Sequence, residues 1–362
     1  MFKIILVIPT MHQGGAERVM SELANAWSSQ LHEVHLVLLA KSENFYAINN
    51  NVIIHNLGFS HSGLFNKIIN ELKVFYKLRK IFKQQQPDFV LSFMIKYNIL
   101  TIITASYLNI KVIVSDRANP KTQQPFLISF LRKATYKFAD GIIAQTSLAK
   151  IILQKETGNK NIRVIPNPIK DILIHENIKK EKIILNIGRL IEEKGQKYLL
   201  DAFSKIKNTD WKVVILGDGP LLHTLKHQIK VLGLKDKVLM PGAVNEVDAW
   251  LARASVFAFP SISEGFPNAL VEAMAAGLPC VSFDCDAGPR DIIIDGKNGY
   301  LVSVGEVDML SSRLENLVNN QELRDQFSSE AANIVNILGL EKIADDYLGF
   351  CTGSVKNENY CY

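Results

Sequence analysis

One stretch of the chain, from Ser255 to Met274, constrains both the fold and the ligand. Its apolar start, Ser255 to Phe259, predicts a buried strand, and Pro267 suits the first turn of a following helix, where its missing N–H costs nothing. Glu264 then lies on the loop at the carboxyl end of the strand, and Glu272 lies inside the helix. A helix start also offers unpaired N–H groups and a positive dipole end. This pattern suits a ligand with both hydroxyl groups and phosphate, such as a nucleotide sugar.

Strand-like and helix-like segments alternate along the chain, and the pattern runs twice. The second series begins at Lys182 to Gly188, after a proline-containing link at Val164 to Ile169. Such alternation is typical of a parallel sheet with helices on both faces, and 362 residues are more than one core usually organises. We therefore predict an α/β protein with two Rossmann-like, doubly wound domains, 1–168 and 169–338, that bind ligands beyond the carboxyl ends of their strands. Residues 339–362 are predicted to form a helix that crosses back to the first domain, then a mobile tail.

The composition is that of an ordinary globular protein, with 48 % hydrophobic and 21 % charged residues. No apolar run reaches transmembrane length, and a glycine-rich loop, not a cleavage site, follows the N-terminal apolar run. The cysteines, which show no metal-ligand spacing, are Cys280, Cys285, Cys351 and Cys361. We therefore predict a reduced, cytoplasmic setting and no cofactor.

The formal net charge of +5 is unevenly distributed. Residues 1–168 hold 20 Lys and Arg against 9 Asp and Glu, a net charge of +11, whereas the remainder holds 21 against 27, a net charge of −6. Residues 64–85 have the pattern of an amphipathic helix, and Lys73, Lys77 and Lys80 lie on its basic face. Such a helix suits an anionic membrane surface, and an outer helix with a solvated face explains the same pattern.

A second basic segment mixes cations with aromatic residues. Its members are Lys121, Arg132, Lys133 and Lys137, with Phe126, Phe130 and Tyr136. No nucleic-acid recognition motif accompanies these charges. The predicted partner of the first domain is therefore an anionic membrane surface and not a nucleic acid.

The first strand of each domain leads into a loop with candidate ligand contacts. Gly14, Gly15 and Glu17 open a helix, and glycines let the backbone approach an anion, although a tight turn needs the same residues. Arg189 and Lys194 leave the strand end of the second domain together. Fixed cations there would stabilise the charge on a diphosphate leaving group, whereas a solvated loop is the simpler explanation of each cation alone.

Other polar residues have weaker patterns. Asp116 and Arg117 end a strand of the first domain, where they can meet an acceptor hydroxyl or a phosphate, or pair with each other internally. His12 lies in the first loop and can do similar work. Asp284-Cys285-Asp286 has the sequence D-x-D, a metal-binding pattern in some sugar transferases. Its position after a strand predicts ordinary loop residues and no metal site.

At these motifs the chain resembles the family-four retaining glycosyltransferases of the GT-B type, in which two Rossmann-like domains face each other across a cleft. The matching residues are Gly14 to Glu17 for the G-G-A-E loop, Gly188, Arg189 and Lys194 for the G-R-x4-K element, and Glu264 and Glu272 for the E-x7-E element. The motifs occur in the order of the family, and the resemblance spans nearly the whole chain. Residues Phe283 to Val302 look most like the bacterial N-acetylgalactosaminyltransferases that act on lipid-linked oligosaccharides.

The resemblance implies a role for each motif residue. Arg189 and Lys194 would hold the diphosphate, Glu264 with the loop from Gly265 to Asn268 would hold the donor sugar, and Glu272 would bind the ribose hydroxyls. The implied site also includes Phe266 on that loop, Val244 near the base, and Gly14 and Gly15, which would close over the donor phosphates. No metal is expected.

The implied reaction is the transfer of a hexose or N-acetylhexosamine, with GalNAc as the first choice, from a UDP-sugar to a glycan acceptor. The acceptor would be carried on a polyprenyl diphosphate, at the inner face of the bacterial plasma membrane. Glu264 and Glu272 would hold the sugar and the ribose and would not act as an acid/base pair. Two alternatives stay open: a UDP-sugar epimerase of the same architecture, and a non-catalytic nucleotide-sugar-binding subunit of a polysaccharide assembly complex.

Overall fold

The computed structural model describes residues 1–12, 14–41, 45–59, 64–117, 119–169, 178–207 and 209–354. The chain divides into two compact units: Met1–Pro168 with the segment that begins at Leu340, and Ile169–Gly339. The predicted tail from residue 355 onward lies outside the described residues.

The described part of the first unit contains a seven-stranded sheet in which every pairing is parallel. The strands are β1 (Lys3–Ile8), β2 (Glu33–Ala40), β3 (Ile53–Phe59), β4 (Phe89–Phe93), β5 (Lys111–Ser115), β6 (Gly141–Ala144) and β7 (Ile162–Val164). The sheet order is β3-β2-β1-β4-β5-β6-β7. Since the order reverses between β1 and β4, the carboxyl ends of these two strands form the topological switch point where doubly wound sheets bind ligands.

Helices connect most of these strands, as is usual for parallel pairing. Between β2 and β3, which are also parallel, the described residues contain no helix. The helices are α1 (Gly15–Ser29), α2 (Leu64–Gln85), α3 (Ile95–Ala105), α4 (Phe126–Tyr136) and α5 (Ser147–Thr157). The core between sheet and helices includes Val74, Leu78 and Phe82 of α2, and the last two are fully buried. The apolar stripe of the predicted basic helix therefore packs, at least from Val74 to Phe82, inside the first unit.

The second unit repeats the plan. In its described residues a six-stranded parallel sheet has the order β10-β9-β8-β11-β12-β13. The strands are β8 (Ile183–Ile187), β9 (Lys212–Leu216), β10 (Val238–Gly242), β11 (Val256–Phe259), β12 (Cys280–Phe283) and β13 (Gly299–Val302). The helices are α6 (Gln196–Lys205), α7 (Leu222–Val231), α8 (Val247–Arg253), α9 (Asn268–Ala275), α10 (Val307–Asn319), α11 (Gln321–Ala332) and α12 (Ile334–Leu338). The switch point lies between β8 and β11, the strands that precede the two strongest motifs.

The last described helix, α13 (Leu340–Thr352), packs in the first unit. The indole N–H of Trp27 donates to the carbonyl of Ala344 over 3.1 Å, and Arg163 lies 3.4 Å from the carboxylate of Asp346. Of the helices in the described part of the chain, not one combines the length and hydropathy of a membrane span.

Candidate active site

The loops that follow β8 and β11 bring Lys194 and Glu264 into contact. The two strands are neighbours in a parallel sheet, so their carboxyl ends lie at the same edge. Nζ of Lys194 lies 2.6 Å from Oε1 of Glu264, and the side chains are only 22 % and 8 % exposed. Nζ also lies 5.8 Å from the centre of the Phe259 ring. The pairing keeps a buried carboxylate beside a cation, as a polar ligand site requires.

Backbone contacts hold these two loops together. The N–H of Ile262 donates to the carbonyl of Glu193 over 2.8 Å. Lys194 ends a 3-10 turn, and Gly195 follows it with a left-handed φ of 62°. A Cβ added at Gly195 would lie 2.0 Å from the carbonyl oxygen of Pro260. Glycine is required here both for conformation and for close approach of the loops.

Arg189 lies on the exposed surface of the same loop. Its backbone carbonyl accepts a 3.0 Å hydrogen bond from the side-chain amide of Gln196, which fixes the start of the loop. Among the residues that the structure describes, its guanidinium has no ion-pair partner. This cation is therefore available to a ligand, whereas Lys194 is already paired.

The loop after β11 leads into α9, whose N-cap is Pro267. Phe266 is buried at 8 % exposure, and the carbonyl of Phe266 accepts from the N–H of Asn268 over 3.0 Å. Gly265, Asn268 and Glu272 are half-buried. A Cβ on Gly288, in the loop after β12, would lie 2.3 Å from Cδ of Pro267, so a third loop packs against the helix start.

The loops after β9 and β10 complete this edge of the second sheet. The N–H of Gly217 donates to the carbonyl of Gly242 over 2.9 Å. A Cβ on Gly217 would lie 2.0 Å from the carbonyl oxygen of Gly188. Val244, half-buried, lies two residues beyond the end of β10. The predicted residues of the second unit therefore lie on loops at the carboxyl edge of one sheet, except Asn268 and Glu272, which lie at the start and in the middle of α9.

The D-x-D sequence has an internal partner. The carboxylate of Asp284 accepts two hydrogen bonds from Arg290, of 2.9 and 2.8 Å. Burial, with the nearby charge of Glu264, raises the pKa of the Cys285 thiol to about 12, so this thiol stays protonated at neutral pH. Among the described residues, no group of three or more His, Cys, Asp or Glu side chains is placed to hold a metal ion.

A second crevice opens at the switch point of the first unit, between the carboxyl ends of β1 and β4. It encloses about 440 Å³, and its lining includes Gly15, Glu17, Met94, Lys96 and Arg117. Sequence reasoning singled out three of these residues and missed Met94 and Lys96. Met94 has a left-handed φ of 74°, which is rare for a long side chain and marks a strained start of α3. No sequence pattern signalled it.

The first loop is fixed by Tyr46. Its hydroxyl accepts from the N–H of Gly14 over 3.3 Å and donates to the Gly14 carbonyl over 3.0 Å. Gly14 has an extended φ, and a Cβ there would lie 2.2 Å from Oε2 of Glu17, so a larger residue would displace the Glu17 carboxylate. Burial raises the pKa of the Glu17 carboxyl. His12 is exposed on the same loop.

Asp116 belongs to an internal network. It accepts hydrogen bonds from the Tyr136 hydroxyl at 2.5 Å, the Asn98 amide at 3.1 Å and the Arg132 guanidinium at 3.3 Å. Arg132 also pairs with Glu156. Within the first unit Asp116 forms an ion pair with Arg132 and not with Arg117. The contact of Asp116 with an acceptor hydroxyl stays a prediction.

Arg117 has a double role in the first unit. Its guanidinium lies 3.6 Å from the centre of the Phe93 ring and donates to the Tyr347 hydroxyl over 2.7 Å and to Asn167. It also lines the switch-point crevice. This residue therefore connects the crevice to α13, and its charge is held by packing and hydrogen bonds.

The basic residues of α2 point outward. Lys73, Lys77 and Lys80 are exposed, and Nζ of Lys77 donates to the carbonyl of Leu57 over 3.0 Å. The structure thus presents these charges to solvent while it buries the opposite side of the helix. The side chains of residues 64–69, at the start of the helix, lie outside the described residues.

Comparison with known proteins identifies the family. A model described as "Glycosyltransferase Family 4" matches residues 13–171, and one described as "Glycosyl transferases group 1" matches residues 170–334. A Campylobacter jejuni protein is 31 % identical over 96 % of this chain and 98 % of its own length. The chain belongs to the family-four glycosyltransferases. That relative is named "GalNAc-alpha-(1->4)-GalNAc-alpha-(1->3)-diNAcBac-PP-undecaprenol alpha-1,4-N-acetyl-D-galactosaminyltransferase".

Other relatives of this glycosyltransferase agree with that assignment. A second C. jejuni protein, an "N-acetylgalactosamine-N,N'-diacetylbacillosaminyl-diphospho-undecaprenol 4-alpha-N-acetylgalactosaminyltransferase", is 29 % identical over 98 % of this chain and all of its own length. The solved structure of Anabaena HepE with UDP aligns with a TM-score of 0.81 at 18 % identity, over 97 % of this chain and 100 % of HepE. These likenesses support the GT-B fold, with two Rossmann-like domains.

Proposed function

We propose that this glycosyltransferase moves a hexose or N-acetylhexosamine, with GalNAc as the first choice, from a UDP-sugar to a glycan carried on a polyprenyl diphosphate. The contact between Lys194 and Glu264 at the switch point of the second sheet carries the proposal. It joins the two family motifs that a diphosphate and a sugar need. The names of the two C. jejuni relatives support GalNAc as the sugar and a lipid diphosphate on the acceptor.

The second unit is the proposed donor domain. Arg189 and Lys194 hold the diphosphate, Glu264 holds the sugar hydroxyls, and Glu272 holds the ribose. The remaining proposed donor contacts are Gly265, Phe266 and Asn268 with the sugar, Val244 with the base, and Gly14 and Gly15 of the first unit with the phosphates. Arg189 supports this arrangement because it is an exposed cation, and Lys194 because its contact with Glu264 brings the proposed diphosphate and sugar positions together.

The proposed chemistry retains the anomeric configuration and uses no metal ion. The acceptor hydroxyl oxygen attacks the anomeric carbon from the face that the diphosphate leaves, the bond from carbon to phosphate oxygen breaks, and the hydroxyl proton passes to that phosphate oxygen. Atoms and charge balance without a protein nucleophile. The protein contributes position and stabilises the negative charge that develops on the diphosphate.

The first unit is the proposed acceptor domain. Its switch-point crevice carries Glu17, Lys96 and Arg117, a mixture of charges that suits hydroxyl groups and an anionic end of the acceptor. His12 is an exposed neighbour in sequence. We further propose that the exposed Lys73 and Lys80 face the anionic headgroups of the inner face of the bacterial plasma membrane.

A transfer assay tests the proposal. The protein is incubated with labelled UDP-GalNAc, UDP-GlcNAc, UDP-Gal or UDP-Glc and a polyprenyl-diphosphate-linked disaccharide. We expect label in the lipid fraction with one donor, and a rate of labelling lower by about 10²–10³ with Lys194→Ala. Conversion of the donor without acceptor would instead indicate the epimerase, and donor binding without turnover the non-catalytic subunit. NMR of the product anomeric proton reports retention, and undiminished transfer after EDTA treatment reports independence of metal.

A further inference from the structure

Helix α4 shows apolar side chains to solvent. Phe126, Leu127 and Phe130 are 87 %, 64 % and 59 % exposed. The same helix buries Arg132 and Tyr136, which belong to the network around Asp116. The inward side also packs Ile128 and Leu131 against the core, so α4 carries apolar side chains on both sides, whereas a surface helix usually has them on its inward side alone.

Helical spacing groups the outward residues. Phe126, Phe130, Lys133 and Lys137 are separated by four, three and four positions, so they form one stripe along the helix. Lys133 and Lys137 are exposed like the aromatic residues. The outward face of α4 is thus apolar in its first half and cationic in its second half.

Further exposed aromatic and basic residues lie beside this face of α4. Phe138, directly after α4, is 70 % exposed, and Nζ of Lys137 lies 4.9 Å from the centre of its ring. Beside the helix a cavity of about 810 Å³ is lined by Lys121, Lys133 and Lys155. Its carboxylate, Glu156, is already paired with Arg132, so the cavity presents a net positive surface.

We propose that the outward face of α4 is the surface by which the protein enters an anionic phospholipid bilayer. Phe126, Leu127 and Phe130 enter the interfacial region, and Lys133 and Lys137 meet the headgroup phosphates. Charge complementarity favours this partner, because aromatic residues flanked by lysines match an apolar layer bounded by anions. The inference deepens and rests on the proposed function, since a lipid-linked acceptor lies in such a bilayer.

This face differs from the basic face of α2. There Leu78 and Phe82 pack in the core, and among the described side chains Leu72 and Tyr76 are exposed beside the lysines. The helix α4 exposes more apolar surface, through Phe126, Leu127 and Phe130. The two surfaces therefore predict different salt dependence. Insertion of apolar side chains persists at high ionic strength, whereas purely electrostatic contact is screened.

Vesicle co-sedimentation of the full chain tests the proposal. Vesicles contain 30 mol% phosphatidylglycerol in phosphatidylcholine, and the variant is Phe126→Gln, Leu127→Gln and Phe130→Gln, which keeps good helix formers on an exposed face. We expect at least a tenfold fall in partition at both 0.1 and 0.5 M NaCl. The matched control, Val231→Gln, Met309→Gln and Val335→Gln, removes three exposed apolar side chains from helices of the second unit and should bind like wild type.

A second readout separates this inference from the proposed function. Transfer to a water-soluble short-chain acceptor should be equal in wild type and the α4 variant, whereas transfer to vesicle-embedded acceptor should fall in the variant. Vesicle binding unchanged by the α4 substitutions overturns the membrane surface even if transfer is normal. A wild-type dimer that the substitutions dissociate also overturns it, since a second copy would then cover this face. Absence of transfer to every acceptor, with vesicle binding lost as expected, overturns the proposed function alone.

Discussion

Nζ of Lys194 and Oε1 of Glu264 are 2.6 Å apart, although seventy positions separate the two residues in sequence. The contact exists because β8 and β11 are neighbours at the switch point of a parallel sheet, so that loops distant in sequence end at one place. The carboxylate is the more buried partner. A ligand that binds to either side chain therefore contacts an existing ion pair and interacts with both charges at once.

Substitutions in this pair should reveal both a stability and a rate effect. We expect Lys194→Ala to lower kcat by about 10²–10³, the loss seen when one preorganised group that stabilises developing charge is removed. It should also cost about 1–3 kcal/mol of stability, because Glu264 is left buried without its cation. Lys194→Arg keeps the charge and should lose less stability than activity, since the planar guanidinium does not reproduce the ammonium position.

The corresponding substitution in the other residue of the pair is Glu264→Gln, which keeps the shape of the side chain and removes its charge. If the two residues act as one unit, the double variant Lys194→Ala with Glu264→Gln should be no less stable than Lys194→Ala alone. Strict additivity of the two losses in thermal unfolding would contradict a functional pair. Steady-state kinetics with varied donor concentration measures the effect of the same variants on activity.

Gly195 offers a sharper test of loop closure. Both Gly195 and Gly158 have left-handed φ angles, of 62° and 68°, but only at Gly195 does a Cβ approach backbone atoms, at 2.0 Å from the Pro260 carbonyl oxygen. We expect Gly158→Ala to cost about 1 kcal/mol for conformation alone. Gly195→Ala should cost about 1–3 kcal/mol more, because neither backbone can move aside easily.

Differential scanning calorimetry and a transfer assay measure the two glycine variants. Gly195→Ala should also lose activity, since separation of the loops moves Lys194 from Glu264. Gly158→Ala, at the end of α5 in the first unit, should retain full activity. Equal destabilisation of both variants would show that the loops do not constrain each other.

Much of the fold follows from local pattern. The strand predicted at Ser255 to Phe259 is β11 to within one residue, and the strand-like run from Lys182 to Gly188 contains β8, because short β-rich runs between turn residues have one compatible structure. The sequence did not predict β7, Ile162–Val164, because a strand of three residues that is followed by two prolines has the pattern of a linker.

The positions of the candidate site residues in the fold were predictable where a motif fixed both residue and element. Glu264 and Lys194 were predicted as site residues from separate motifs. Their contact depends on the order of strands in the sheet, which local sequence patterns do not determine. The network that holds Asp116 joins residues from three helices or strands, and local pattern carries no information on such contacts. Met94 likewise became visible only through its backbone angle.

Two histidines in the first sheet predict acid sensitivity. Nδ1 of His35 lies 2.9 Å from Nε2 of His55, and Nε2 of His35 lies 3.0 Å from Glu33. Burial and the neighbouring His35 lower the pKa of His55. Below about pH 6.5 the unfolded chain therefore binds more protons at His55 than the folded chain does. The stability that neutral His55 contributes is fully present above that pH and is lost as the pH falls through the lower pKa of the folded state.

We expect the wild-type melting temperature to fall by about 2 °C more between pH 7.5 and 5.5 than that of His55→Gln, which cannot titrate. The measurement is thermal unfolding in buffers of equal ionic strength. His227→Gln is the control, because His227 lies on α7 of the second unit. An identical pH profile for His55→Gln and wild type would remove His55 as the acid-sensitive group.

The charges on α2 should act only at low salt. Lys73→Glu with Lys80→Glu reverses two exposed cations and leaves Lys77, which donates to the Leu57 carbonyl, in place. We expect about a tenfold or greater loss of vesicle binding at 0.1 M NaCl, at about 1 kcal/mol per basic residue, and a much smaller loss at 0.5 M NaCl. Lys205→Glu with Lys297→Glu, on the second unit, is the charge-matched control for co-sedimentation.

Arg117 and Tyr347 predict how α13 is held in the first unit. Tyr347→Phe removes the hydroxyl that accepts the 2.7 Å hydrogen bond from Arg117 and leaves a buried cationic donor without that partner. The expected cost is about 1.5–3 kcal/mol, the range for a hydrogen bond to a charged group. In the second unit, Tyr300→Phe removes a hydroxyl bonded to the neutral Asn316 amide and should cost about 1 kcal/mol. Hydrogen exchange should show faster opening of α13 in Tyr347→Phe and wild-type protection of α13 in Tyr300→Phe; equal protection of α13 in both variants would mean that Trp27 and the other contacts hold the helix without Arg117.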